Sequence, residues 1–197
     1  MTSRPRIAVI IGSTRESRFA TKPAQWILDK AKARGDWDVE LVDLKEFDLP
    51  MFAEVASNAW APSQDARAVA WQEKVASFDG YIFITAEYNR SITGALKNAL
   101  DQAYVDWNRK AFGIVSYGSV GGTRAAEHLR TIGIELQMAS TRGAVHIGGS
   151  DFFAVHPLGG QNKELGEIEG AIGPSADGML DELDWWTRAT MAARAKG

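Results

Sequence analysis

Gly12-Ser13-Thr14-Arg15-Glu16-Ser17-Arg18 gathers side chains suited to holding an anion. Ser13, Thr14 and Ser17 supply neutral donors, and Arg15 and Arg18 supply the charge-assisted, bidentate donors that match phosphate oxygens. The stretch is not a Gly-x-x-x-x-Gly-Lys-Ser/Thr phosphate loop, because no Gly-Lys follows Gly12 at that spacing. Nor is it Gly-x-Gly-x-x-Gly, because the next glycine is Gly35. Without glycines for close approach to a pyrophosphate, a single terminal phosphate such as that of FMN fits better. The plainer alternative is a strand-to-helix turn with surface arginines.

Two further stretches suit a flat heterocycle. In Glu87-Tyr88-Asn89-Arg90-Ser91, Tyr88 offers an aromatic surface, and Asn89 offers a donor and an acceptor for a ring edge. Tyr88 as a plain packing aromatic is the alternative. Gly118-Ser119-Val120-Gly121-Gly122 carries so little side chain that its amides can approach a planar ring.

The elements around these stretches are regular. Arg6–Ile11 is a continuous apolar, β-branched run after Arg6, as in a strand buried on both faces of a parallel sheet. Thr21–Arg34 reads as a helix, with Pro23 in its first turn and Gly35 closing it. Val39–Leu44 reads as an edge strand, interrupted by Glu40 and Asp43. Phe47–Pro62 is a long apolar connection that should cover a ligand, a second subunit or its own domain. Ser63–Phe78 is a helix with Ser63 as N-cap, Tyr81–Thr85 a strand, and Ala95–Tyr104 a helix. Ala111–Tyr117 is the fourth strand, followed by a helix from Thr123 to about Met138 and a weaker fifth strand near Gly143–Ile147. Gly148–Asp177 reads as surface loop and Met179–Ala195 as a terminal helix.

Repeated strand–helix alternation implies an α/β fold: a parallel sheet with helices on both faces, residues 1–197 forming one domain. Five strands fit the three-layer flavodoxin-like order 2-1-3-4-5, in which ligands bind beyond the carboxyl ends at the switch point between strands 1 and 3. The three stretches above all follow central strands of that order.

Net charge is −3, which gives no electrostatic case for nucleic acid. Absence of cysteine excludes disulfides, thiolate catalysis and cysteine-held metal. No apolar run approaches a membrane span, and Met-Thr-Ser-Arg-Pro-Arg leads directly toward the first strand without a signal peptide, so a cytoplasmic location is expected. His128, His146 and His156 lack metal-ligand spacing. Lys97 and Asp101 read as an ordinary i,i+4 helix pair.

Glu87-Tyr-Asn-Arg-Ser91 with Gly94-Ala-Leu-Lys-Asn-Ala-Leu-Asp101 resembles the Pro-Glu-Tyr-Asn-x-Ser-x-Pro-Gly-x-Leu-Lys-Asn-Ala-Ile-Asp signature of the NAD(P)H-dependent FMN reductases, a family that includes azo, quinone and chromate reductases. Gly12–Arg18 and Leu49-Pro-Met-Phe52 are similar to that family as well, over roughly residues 6 to 145. Ala86 and Thr93 stand where the signature has prolines. The resemblance implies that Ser13, Thr14, Arg15 and Arg18 hold the FMN phosphate. It implies that Glu87, Tyr88, Asn89 and Ser91 line the ribityl chain and ring, with Gly118, Ser119, Gly121 and Gly122 beside the ring.

It implies hydride transfer from NADPH or NADH to FMN and on to a quinone, azo compound, metal oxyanion or free flavin. The flavin carries the hydride, and no side-chain acid, base or metal is required. Backbone amides of Ala86–Asn89 or Gly118–Gly122 would stabilise the reduced ring's charge. A shared flavin face implies ping-pong kinetics, and the family implies a homodimer or homotetramer with subunit contacts near Leu49–Phe52 and Leu96–Asp101. The alternatives are a flavodoxin-type electron carrier and a flavin-binding regulatory module without turnover.

Overall fold

β1, Arg6–Ile11, shows why its apolar run is continuous. Ile7, Val9 and Ile11 enter the core on one side of the sheet, and Ala8 and Ile10 enter the core on the other. The structure, a computed structural model, describes residues 4–196, so the expectation for the first residues of the chain lies partly outside the described residues. In sequence order β1 is followed by α1 (Thr21–Ala33), β2 (Asp38–Asp43), α2 (Ala66–Ala76), β3 (Gly80–Ala86) and α3 (Gly94–Asp101). Then come β4 (Ala111–Tyr117), α4 (Thr123–Glu135), β5 (Ala139–Ser140), β6 (Val145–Ile147), α5 (Gly149–Val155) and α6 (Glu169–Arg194).

The strands are parallel in the order β2-β1-β3-β4-β5, the flavodoxin-like arrangement. Register pairs Ile11 with Ile84 and Ala86 with Tyr117, so the carboxyl ends of β1, β3 and β4 come level. α1, α5 and α6 cover one face of the sheet, and α2, α3 and α4 the other. β3 and β4 are buried along their whole length, whereas β2 is only partly covered, as an edge strand should be.

Three local expectations need correction. The weak strand expected near Gly143–Ile147 is β6, but a short strand ahead of it, β5, lies outside that expectation, and the two pair with opposite ends of β4. The chain leaves the sheet between them because the Arg142 and Gly143 amides donate to the Glu182 carboxylate at 2.7 and 2.9 Å. Gly148–Asp177 is not loop. It holds α5, two short 3-10 turns and the first turns of α6, with Pro174 inside that helix. Burial of Ile172, Ala176, Met179, Leu180 and Leu183 overrides a glycine- and proline-rich composition. Finally, the N-cap of α2 is Asp65, whose carboxylate accepts the Arg67 amide at 2.8 Å, while Ser63 Oγ accepts Gln72 Nε2.

The apolar connection Phe47–Pro62 is pinned to α3. Asn98 donates to Pro50 O at 2.8 Å and accepts the Phe52 amide at 2.9 Å, and Gln102 donates to Pro50 O at 2.6 Å. No helix among the described residues is long and apolar enough to cross a membrane, and none of their acidic or histidine side chains gather as a metal cluster.

Candidate functional site

β1 gives way to the loop at Gly12, where nothing larger fits. A Cβ there would stand 2.8 Å from Ile84 O and 3.1 Å from the Leu96 side chain. Gly12 N donates to Ile84 O at 2.9 Å, and its carbonyl accepts Thr93 Oγ1, so the loop that follows is anchored to β3 and to the N-cap of α3.

In that loop Ser13 is 1 % exposed, and its Oγ has no partner. Buried hydroxyls ordinarily have one, and an orphan calls for an explanation. Thr14 and Arg15 are exposed. Arg15 lies over the Tyr88 ring, 5.5 Å from its centroid, with no carboxylate partner among the described residues. Arg18 is engaged from below: Nη1 donates to Asp43 Oδ1 at 2.8 Å and to Ser13 O at 2.9 Å, and Nη2 pairs with Asp43 Oδ2. α1 opens on Ala20 without a side-chain cap, which leaves the positive end of its dipole facing the same loop. A cavity of about 360 Å³ runs from Thr14 past Leu44 and Leu49 to Gly94 and Asn98.

The second stretch is a tight turn. Tyr88 and Ser91 exchange backbone hydrogen bonds of 2.9 and 3.0 Å across Asn89 (φ 51°) and Arg90 (φ 69°), the left-handed pair of a type I′ turn. Tyr88 Oη is buried without a partner. The Ser91 hydroxyl meets His128 Nδ1 of α4 at 2.7 Å. Glu87 is turned inward. Its carboxylate pairs with Arg124 Nη2 and accepts the Arg124 amide at 3.2 Å, which ties this turn to the start of α4.

The third stretch holds Gly118, Gly121 and Gly122 at φ 153°, 77° and 67°. At Gly122 a Cβ would also meet Tyr117 N and Ser116 Cβ at 2.8 Å. Ser116 Oγ supports the loop by donating to Gly121 O at 2.8 Å, with His146 Nδ1 2.8 Å away on the other side. Burial holds the His146 pKa below its ordinary value, so the supporting ring is neutral near pH 7.

Not every amide of these turns is free. Glu87 N donates to Tyr117 O, Tyr88 N to Ser91 O, Gly118 N to Ile147 O and Gly121 N to Gly118 O. Among the described residues no protein acceptor meets the amides of Asn89, Ser119 or Val120. Tyr117, at the end of β4, stands between the stretches. Burial and nearby Tyr88 push its phenol above the ordinary range, while Arg15 and Arg18 pull it back.

The sequence-predicted residues are therefore gathered at one end of the sheet, each in a distinct local state. Sequence reasoning missed Asp43, Arg124, His128, His146 and Tyr117 as their partners. Only Asp43 left a local sign, a polar residue closing an edge strand.

The family model described as NADPH-dependent FMN reductase matches residues 5–151. An NAD(P)H-dependent FMN reductase of Schizosaccharomyces pombe is 34% identical over 175 residues, 86% of this chain and 88% of that protein. A 2-hydroxy-1,4-benzoquinone reductase of a Burkholderia species is 32% identical over 134 residues, 64% of this chain and 69% of that protein. Among solved structures, FerB of Paracoccus denitrificans, titled a flavoenzyme NAD(P)H:(acceptor) oxidoreductase, superposes with a TM-score of 0.64 at 19% identity, covering 95% of this chain and 98% of that one.

Proposed function

Since the chain belongs to the NADPH-dependent FMN reductase family, we propose that its three carboxyl-end stretches hold FMN and serve hydride transfer from NADPH or NADH to a quinone. The protein is a flavin-dependent oxidoreductase that draws on NAD(P)H. The observation that carries the site assignment is the buried Ser13 hydroxyl without a partner, in the same loop as an arginine without a carboxylate among the described residues. A phosphate monoester answers both deficits.

Ser13, Thr14 and Arg15 grip the phosphate in this reading, and Arg18 adds its charge from behind, braced by Asp43. Tyr88 and Asn89 border the ring, with Ser91 and Glu87 fixing their turn through His128 and Arg124. Gly118, Gly121 and Gly122 leave room for the ring's approach, and the uncommitted amides of Asn89, Ser119 and Val120 face developing negative charge. FMN itself supplies the hydride chemistry, and the chain supplies binding, orientation and electrostatics. A quinone is the favoured acceptor because the Burkholderia relative carries that activity in its name. Azo compounds, metal oxyanions and free flavin form the rest of the acceptor panel. A cytoplasmic location suits an enzyme that draws on NAD(P)H.

A second copy of the chain covers the face formed by α3, α4 and the pinned connection. There Phe52, Leu100, Tyr104, Ile132 and Leu136 line an apolar cavity of about 440 Å³. On the connection and on α4, Met51, Trp60 and Ile134 are exposed at 78%, 86% and 76%, apolar surface that a second copy would cover. Light scattering is expected to give a homodimer or homotetramer.

The test is spectroscopic. Protein incubated with FMN and desalted is expected to be yellow, to bleach anaerobically with NADPH or NADH, and to recover colour on adding benzoquinone, with parallel double-reciprocal lines. Colourless protein overturns the reading. Yellow protein that neither nucleotide bleaches is a carrier or a binding module.

A further inference from the structure

The family match stops at residue 151. It ends inside α5, whose later residues, with the 3-10 turn Pro157–Gly159, bring a histidine back against the entry to α1. The His156 ring packs on Phe152 with centroids 4.6 Å apart and on Phe19 at 5.1 Å. Phe19 in turn meets Tyr117 edge-on at 5.1 Å. His156 Nδ1 accepts the Leu158 amide at 3.1 Å, which places the proton of the neutral ring on Nε2. Ring plane and tautomer are thus both fixed, yet among the described residues no protein acceptor meets that Nε2–H.

The Nε2–H is available to a ligand. Arg15 is close enough to His156 to lower its pKa, adding to the effect of burial, and the same guanidinium lies over Tyr88 and bears on Tyr117. Phe19 touches both His156 and Tyr117 and leads into α1 directly after the loop of Arg15, and Arg15 lies over Tyr88, so these side chains all lie about the head of the β1–α1 loop. The carboxylates beside this loop are already committed, Glu16 to Lys45 at 2.7 Å, Asp43 to Arg18, Glu87 to Arg124 and Glu164 to Lys22 at 3.2 Å. Arg15 and the Nε2–H of His156, one of them cationic, are thus two donors at this end of the loop without a protein acceptor among the described residues.

We propose that His156 is a cofactor-binding residue whose Nε2–H donates to the phosphate gripped by Ser13, Thr14 and Arg15. This rests on the reading of the β1–α1 loop as the FMN phosphate site. It brings the segment after the family match into the cofactor site and gives the ordered α5–turn unit a reason to pack where it does.

The experiment compares FMN with riboflavin, which lacks the phosphate, by quenching of flavin fluorescence on the full chain. His156→Asn keeps an acceptor for the Leu158 amide, and His156→Phe keeps the aromatic packing; neither retains a donor at Nε2. Both variants are expected to bind FMN about tenfold more weakly, the scale of a hydrogen bond to a charged group, with riboflavin affinity unchanged. Equal loss for FMN and riboflavin marks a structural role and overturns the proposal, as does unchanged FMN affinity or a loss confined to one variant. Wild-type protein that fails to bind FMN brings down the phosphate-site reading as well; wild-type binding with unaltered variants brings down His156 alone.

Discussion

Tyr81 and Tyr88 flank the two ends of β3, and the chain treats them in opposite ways. At the amino end the Tyr81 hydroxyl donates to Val75 O at 2.9 Å and accepts Lys110 Nζ at 3.1 Å. Lys110, 7 % exposed, spends its other hydrogens on Val75 O and Ala76 O at 3.2 and 3.0 Å, closing the end of α2. At the carboxyl end the Tyr88 hydroxyl, the Ser13 hydroxyl and Arg124 Nε are buried and unmatched, against Thr187 Oγ1 beside Gly80 at the amino end. A buried polar group that is satisfied holds the fold together. A cluster left unsatisfied costs stability and marks a place where something else is to bind. Stability and cofactor binding should therefore respond separately to changes at the two ends.

The largest separation is expected at Lys110. Lys110→Met strands the Ala76 carbonyl and should lower stability by about 1–3 kcal/mol near neutral pH with FMN affinity unchanged. The pH dependence sharpens this. Burial, helped by Arg194, lowers the Lys110 pKa to about 8, whereas an unfolded lysine keeps its proton to about 10.4. Between those values the unfolded state binds more protons, so stability attributable to this group rises with pH. The gap between wild type and Lys110→Met should widen by about 2 kcal/mol from pH 8 to 10, measured by urea unfolding. A gap that narrows, or FMN affinity that follows stability, breaks the division between the ends.

Ser13→Ala tests the other end. Removing an unpartnered hydroxyl should leave the apo protein at least as stable as wild type, while FMN affinity falls about tenfold through loss of a donor to a charged group. Thermal melts of apo protein and FMN fluorescence titration separate the two. Lower apo stability would mean that the hydroxyl already has a partner in the protein.

How far the sequence could reveal this division follows from distance along the chain. β1, the order of the sheet and the three stretches were legible because each depends on contiguous residues: a β-branched run, a hydroxyl–arginine loop, clustered glycines. The partners that set the state of those stretches were not legible. Arg124 reaches Glu87 and His128 reaches Ser91 only after β4 and the start of α4 have returned the chain to the same edge. The C-terminal third misled because Gly166, Gly170, Gly173 and Pro174 favour turns locally, while the face formed by Ile172, Ala176 and Leu180 is set by burial against the sheet. His156 gave no local sign, since its aromatic partner Phe19 lies at the entry to α1.

The smallest expected effect probes the boundary between the two behaviours. The Arg18–Asp43 pair sits at the carboxyl end but is satisfied, with side chains only 12% and 16% exposed, and it also carries Ser13 O. It belongs to the scaffold by chemistry and to the site by position. Asp43→Asn keeps an acceptor for one guanidinium hydrogen bond and removes the charge. If Arg18 acts as a brace, the loop loosens and FMN affinity falls a few-fold, with riboflavin less affected because the loop's work is on the phosphate. If Arg18 is instead freed to turn onto the phosphate, FMN affinity rises, since a guanidinium without a carboxylate gains more from a phosphate than one already paired. We expect the fall: two guanidinium nitrogens bonded to one carboxylate, with a third bond to the loop carbonyl, describe an arginine fixed before the ligand arrives.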